Sequence, residues 1–118
     1  MNMDKTYLII SVEVEDNSVF FNDAEFQDQH KIPYIREEQL CSFLSSIISS
    51  ICHQMGVRVL KTECFQQNDK TALIMRADAT DSSTDLYTLR QMLIAAGEKI
   101  HATVRVQKED LFRYMHRI

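Results

Sequence analysis

Glycine, proline and cysteine are all scarce in this chain of 118 residues, which has two Gly, one Pro and three Cys. So few Gly and Pro exclude collagen-like chains, low-complexity linkers and a small barrel rich in turns. The cysteines, Cys41, Cys52 and Cys64, are odd in number and form no C-x-x-C pair, which is typical of a reduced intracellular chain. We therefore expect three free thiols. Their spacing predicts neither a zinc site nor any other metal site.

Long apolar runs are also missing. The first run, Tyr7 to Val14, is interrupted by Ser11 and Glu13 and is too short for a signal segment or a membrane span. We therefore expect a cytoplasmic protein with no membrane partner. The chain contains no P-loop, no GxSxG and no other catalytic motif, so we expect a non-enzymatic protein with no catalytic residues and no cofactor.

The charge balance disfavours nucleic acid as a partner. Seventeen Asp and Glu outnumber thirteen Lys and Arg, which gives a net charge of −4. A protein that binds nucleic acid by bulk electrostatics is usually basic. No repeat or linker divides the sequence, and its length suits one domain spanning 1–118.

Hydrophobic periodicity predicts four strands and two main helices. Alternating apolar residues indicate strands at Tyr7–Glu15, Val57–Gln66, Thr71–Ala79 and Ile100–Gln107. Apolar residues at steps of three and four predict a helix over Arg36–Met55 that ends at Gly56, with Glu37 and Glu38 in its first turn. A second helix, capped by Ser82, carries the stripe Leu86, Leu89, Leu93 and Ala96 and ends at Gly97.

The element order βαββαβ predicts an α+β, ferredoxin-like fold, in which an antiparallel sheet carries two helices on one face. Two further segments complete the prediction. Residues 16–35 form a long acidic loop insertion, with an extra hairpin at Val19–Phe21, and residues 107–118 form a C-terminal helical tail that includes a short helix over Lys108–His116.

The last fourteen residues, Arg105–Ile118, read RVQKEDLFRYMHRI. They resemble the C-terminus of small bacterial and archaeal ACT-domain proteins, which end in a strand, then Gln-basic-Glu-Asp-apolar-Phe, then Met-His-Arg-Ile. Residues 81–106 follow the same plan more loosely. The resemblance implies the βαββαβ fold, a regulatory or sensor role, a small-molecule effector such as an amino acid, and association into a homodimer or a larger homo-oligomer.

The segment after the first strand departs from that family. The resemblance implies a short loop containing Gly, but residues 16–35 contain none. Only Gly adopts unusual backbone angles without steric cost. We therefore expect either a rebuilt ligand site formed by Asp16, Asn17, Asn22 and Asp23, or a surface that contacts another protein.

The second alternative makes the chain an acidic interaction adaptor with no small-molecule ligand. Six acidic residues and no Lys or Arg lie between Glu13 and Asp28. Within this region, the segment Val19–Phe26 holds Phe20, Phe21 and Phe26. A few aromatic side chains often provide most of the binding energy of an interface, so these three are the candidate partner-binding residues.

Overall fold

The computed structural model describes residues 5–20 and 37–110. Its regular elements are, in chain order, β1 (Tyr7–Val14), α1 (Leu40–Gln54), β2 (Arg58–Gln67), β3 (Lys70–Asp78), α2 (Leu86–Glu98) and β4 (Thr103–Lys108). Two short 3-10 turns, Asn17–Phe20 and Glu37–Gln39, follow β1 and precede α1. The predicted βαββαβ order is confirmed.

The four strands form one antiparallel sheet in the order β2-β3-β1-β4. Strand β1 lies in the middle and pairs with both β3 and β4, so that Ile10 faces Met75 on one side and Val106 on the other. This arrangement is the predicted α+β, ferredoxin-like fold. Strands β2 and β4 are the two edges of the sheet.

The hydrophobic core lies between the sheet and the two helices. Alternation along β1 sends every second side chain to the helix side, and these residues are at most 2% exposed: Leu8, Ile10, Val12 and Val14. Helix α1 contributes a stripe at a spacing of four residues, namely Leu40, Leu44, Ile48 and Cys52. The opposite face of the sheet bears the exposed side chains of Phe65 and Ile74.

The helix ends show which capping predictions were right. Gly56 follows α1 with a φ of 75°, the left-handed conformation that suits glycine at this position. The predicted cap of α2 was wrong, because Asp85 rather than Ser82 accepts a hydrogen bond from the Thr88 N–H, at 2.7 Å. The Ser82 hydroxyl instead donates to the Met55 carbonyl at 3.0 Å and ties this loop to the end of α1.

The connection from α2 to β4 also differs from its prediction. Gly97 lies inside α2, which continues to Glu98. A Cβ at position 97 would lie 2.5 Å from Val104 Cγ2, so glycine is required there for close packing. Strand β4 begins at Thr103 rather than at Ile100, because His101 has a φ of 56° and interrupts the extended backbone.

The expectation of three free thiols was wrong. Cys41, in the first turn of α1, is disulfide-bonded to Cys64 of β2, with 6.2 Å between the two Cα atoms. The two residues are 23 positions apart, and the packing of α1 on the sheet brings them together. Cys52 is free and fully buried, as its place in the helix stripe predicted.

The structure describes part of the two segments predicted outside the regular core, the loop after β1 and the C-terminal tail. The predicted hairpin at Val19–Phe21 was wrong for its first two residues, since Val19 and Phe20 belong to the 3-10 turn Asn17–Phe20. Two residues of the predicted tail helix, Glu109 and Asp110, are helical. Gln107 and Lys108, where the tail was predicted to begin, instead belong to β4, because they continue its pairing with β1. Phe21 of the hairpin and residues 111–118 of the tail lie outside the described residues.

Candidate functional site

The hairpin that joins β2 to β3 forms one end of the candidate site. Its two central residues, Asn68 and Asp69, have φ values of 53° and 64°. Two consecutive left-handed residues are typical of the tight turns that suit the twist of paired strands, and Asn and Asp tolerate this conformation. The turn carries the Asp69 carbonyl toward the end of β1, where it accepts a hydrogen bond from the Asn17 N–H at 2.6 Å.

Asp16 stabilises the turn that follows β1. Its Oδ1 accepts hydrogen bonds from the Ser18 hydroxyl at 2.6 Å and from the Ser18 N–H at 3.0 Å. These bonds lower the pKa of the Asp16 carboxyl below its ordinary value. Both bonds are local, so the exposed Asp16 holds the backbone conformation that carries the chain to Asn17.

Asn17 is the most unusual polar residue of the site, because it is 1% exposed and, within residues 5–20 and 37–110, only one of its two polar side-chain atoms has a hydrogen-bond partner. The Asn17 Oδ1 accepts a hydrogen bond from the Thr71 hydroxyl at 2.8 Å, and the Thr71 oxygen accepts one from Gln66 Nε2 at 3.4 Å. The Asn17 Nδ2 has no hydrogen-bond partner among the described residues. Leaving a buried donor without a hydrogen-bond partner destabilises a protein by about 1–3 kcal/mol. Binding of a ligand or a further polar group that accepts a hydrogen bond from this amide would therefore be favourable.

A cleft of about 390 Å³ opens beside this network at the hairpin end of the sheet. That volume falls within the usual range for small-molecule sites. Its lining joins the end of β1 to the β2–β3 hairpin and consists of Glu13, Val14, Glu15, Phe65, Gln67, Asn68, Lys70, Thr71 and Ala72. Asn17 is not one of these residues, but its hydrogen bond with Thr71 joins it to the lining.

The cleft combines both signs of charge with an aromatic surface. Lys70 Nζ lies 3.5 Å from Glu15 Oε2, and these two side chains are 65% and 73% exposed. An ion pair this exposed contributes little to stability. A charged group of a ligand can therefore replace either side chain of the pair at little cost in free energy. Phe65, which is 54% exposed, provides an apolar wall.

The opposite end of the sheet carries a second charged cluster with different properties. The Arg76 guanidinium forms an ion pair with the buried carboxylate of Glu109 and lies over the Tyr7 ring, 4.3 Å from the ring centroid. Its hydrogen bond to Glu109 raises the pKa of Arg76. Nearby, Asp78 Oδ2 accepts from Arg58 at 3.2 Å and Asp78 Oδ1 accepts from the Thr80 N–H at 2.9 Å. These groups pair with one another through ion pairs and hydrogen bonds, so the cluster has a structural role.

The predicted site residues are only partly accounted for by the structure. It brings Asn17 into the buried network, and it places Asp16 one residue away, in the turn beside the cleft. Phe20 ends the 3-10 turn after β1. Asn22, Asp23, Phe21 and Phe26 lie outside the described residues, so their roles stay predictions.

Sequence reasoning missed the cleft residues Phe65 and Lys70. Alternation along β1 places Glu13 and Glu15 on the solvent side, and this signal was available in the sequence. The pairing of Val14 with Thr71, which brings the hairpin alongside those acids, depends on strand register. No local pattern in the sequence specifies that register.

The residues that the structure describes, 5–20 and 37–110, bear on two other kinds of function. Within these ranges no three His, Cys, Asp or Glu side chains form a group able to hold a metal ion. Over the same residues, neither helix is long and apolar enough to cross a bilayer.

Comparison with known proteins identifies the family. No protein-family model matches the chain. A UPF0237 protein of Methanocaldococcus jannaschii is 35% identical to it over 71 residues, which cover 60% of this chain and 79% of that protein. The chain belongs to the UPF0237 family. A second UPF0237 protein, from Methanopyrus kandleri, is 31% identical over 71 residues and has the same coverage.

Solved structures show which fold this UPF0237 chain has. An ACT domain protein from Streptococcus pneumoniae superimposes with a TM-score of 0.60, covers 92% of the chain and 96% of its own length, and is 13% identical. The C-terminal domain of the MgtC protein from Mycobacterium tuberculosis gives a TM-score of 0.56 at 7% identity, with 92% of both chains covered. The ACT-like fold is therefore confirmed. The C-terminal signature stays a prediction, because residues 111–118 lie outside the described part of the UPF0237 chain.

Proposed function

We propose that this UPF0237 chain is a non-enzymatic, ACT-like regulatory module whose effector is a small zwitterion of the amino-acid class. The observation that carries the proposal is the Asn17 amide, which is buried and has no partner for Nδ2 among the described residues, next to a cleft of ligand size. Buried polar groups are nearly always satisfied in folded proteins, and exceptions often mark functional positions.

The chemistry of the cleft suits a molecule that carries both charges. Glu13 and Glu15 are available to an ammonium group, Lys70 to a carboxylate, and Phe65 to an apolar side chain. In this proposal the ligand replaces the weak Lys70–Glu15 pair with two closer contacts. Charge-assisted hydrogen bonds of this kind are stronger than those between neutral groups.

The segment after β1 belongs to the proposed site. Asp16 and Asn17 anchor its beginning, and the proposal includes Asn22 and Asp23 as further polar ligand groups. In this proposal, regulation acts through self-association of the chain. Strand β2 is a suitable surface for a second copy, because it is an edge of the sheet and exposes Leu60 and Phe65.

Thermal unfolding with a panel of amino acids tests the small-molecule part. A ligand at one hundred times its Kd adds about 2.7 kcal/mol, which for a domain of this size raises Tm by roughly 10 °C. We expect at least one compound to produce such a shift. Lys70→Gln should abolish the shift, whereas the matched variant Lys99→Gln, an exposed lysine beyond the end of α2, should retain it.

Light scattering after size-exclusion chromatography tests self-association in the same samples. We expect a dimer or a larger assembly whose mass or stability responds to the active compound. A monomer indifferent to every compound would refute the effector proposal. It would favour the adaptor that binds a protein through Phe20, Phe21 and Phe26, which partner capture with Phe20→Ala and Phe21→Ala together would then test.

A further inference from the structure

We propose that Cys41 and Cys64 form a thiol–disulfide exchange site for low-molecular-weight disulfides such as glutathione disulfide, and that oxidation of this pair clamps edge strand β2 to helix α1. The proposal is independent of any ligand in the cleft. It starts from the position of the bond, which joins the first turn of α1 to the helix-facing side of β2.

The attachment of β2 to the helix layer depends heavily on this bond. Of its ten residues only Val59 and Cys64 are partly buried, and the others are exposed. Along one edge β2 pairs with β3 over its whole length, with one register shift between Val59 and Lys61. Loss of the disulfide would therefore leave the strand paired in the sheet, but held to the helices mainly by Val59.

Both bonded cysteines lie nearer the surface than the third. Cys41 and Cys64 are partly exposed, and Cys41 lies between the buried Leu40 and the exposed Ser42. The 6.2 Å separation of their Cα atoms falls within the range that a disulfide spans without backbone movement. Closing or opening the bond is thus compatible with the same fold.

The third cysteine provides an internal contrast. Cys52 is fully buried in the core, and desolvation raises the pKa of its thiol to about 11. Because the thiolate is the reactive form, Cys52 is a poor partner for exchange. Exchange is therefore confined to Cys41 and Cys64.

The reaction balances in two steps. A thiolate of the pair attacks glutathione disulfide, forming a mixed disulfide and releasing one glutathione thiolate. The second cysteine thiolate then attacks the protein sulfur of the mixed disulfide, forming the Cys41–Cys64 bond and releasing the second glutathione. Two protein thiols are oxidised, one glutathione disulfide is reduced to two thiols, and a dithiol reverses the change.

Titration of the full chain with glutathione buffers, followed by alkylation and mass spectrometry, tests the proposal. We expect two rapidly alkylated thiols in the reduced native protein, none in the oxidised native protein, and one, Cys52, after the oxidised protein is unfolded. Cys52→Ala should close the pair normally. Cys41→Ser should stop at a mixed disulfide on Cys64.

Hydrogen exchange and thermal unfolding distinguish a disulfide that opens and closes in the folded protein from one that the protein needs in order to fold. The reduced protein should remain folded, with Tm lower by roughly 10 °C, and the exchange of β2 amides should accelerate at least about tenfold more than that of the central β1 amides, which exchange through global unfolding. The proposal is overturned if the reduced protein is unfolded, if glutathione disulfide leaves all three thiols free, or if Cys41 and Cys64 react no faster than Cys52.

Discussion

The two ends of the sheet differ in how completely their polar groups are paired. At the end that carries Arg76, the guanidinium, a buried carboxylate and an aromatic ring satisfy one another. At the hairpin end, Lys70 and Glu15 form a loose exposed pair, and the buried Asn17 amide lacks a partner for Nδ2 among the described residues. The first arrangement is satisfied within the protein, whereas the second is where we propose that a ligand binds.

Removing Arg76 should produce the largest loss of stability. Arg76→Ala leaves the Glu109 carboxylate, 9% exposed, without its guanidinium partner. Breaking a buried pair destabilises a fold strongly, and solvent around the 37% exposed Arg76 side chain screens part of that loss, so we expect a fall in the urea midpoint larger than that caused by Thr71→Val. Urea unfolding measures this loss. Arg105→Ala, an exposed arginine of β4, is the control, and an equal effect in both variants would contradict a structural role for this cluster.

Removing the Thr71 hydroxyl should have an intermediate effect at the other end. Thr71→Val keeps the shape of a side chain that is 2% exposed, but the Asn17 Oδ1 loses its donor. We expect a loss of about 1–2 kcal/mol in the free energy of unfolding. Thr103→Val, at an exposed strand position, should change it by less than about 0.5 kcal/mol. A neutral Thr71→Val would show that the Asn17 network contributes nothing to stability.

The smallest effect concerns pH and the carboxylate of Asp78. Hydrogen bonds from Thr80, followed by Arg58, hold the Asp78 pKa below its ordinary value. A depressed pKa in the folded state means that the ionised group stabilises the fold above about pH 4 and that this contribution is lost as pH falls through the folded pKa. Asp78→Asn should therefore flatten the loss of urea stability below about pH 4.

The control for that experiment is the exposed residue Asp81. Asp81→Asn should leave the acid dependence of the urea midpoint close to that of the parent chain. If Asp78→Asn behaves in the same way, the hydrogen bonds to Asp78 have no consequence for stability, and the contrast between the two ends rests on Arg76 and Glu109 alone.

Local patterns were enough to predict most of the fold. Buried residues recur at every second position of β1 and at every fourth position of α1, because the side chains on one face of each element avoid water. The type and order of the elements could therefore be predicted from the sequence. The errors lie at element ends. Ser82 satisfies a capping pattern, but the structure uses it to bind the Met55 carbonyl, and Asp85 caps the helix instead.

The candidate site was readable only in part. Asp16 and Asn17 were predicted as ligand residues because the segment after β1 departs from the family pattern, and that role stays a prediction. The sequence contains no sign that the Asn17 amide would be buried against Thr71. The residues that complete the cleft come from a hairpin about fifty positions further along the chain. Their proximity depends on the pairing of β1 with β3.

The sequence by itself determined the alternation of buried and exposed positions, and with it the elements, their order and the ferredoxin-like class. Only the tertiary structure decided the register that builds the cleft, the burial of Asn17 against Thr71 and the joining of Cys41 to Cys64. The physical reason is the range of the interactions. Hydrophobic periodicity acts between near neighbours along the chain, whereas a cleft or a disulfide requires distant residues to meet at specific positions.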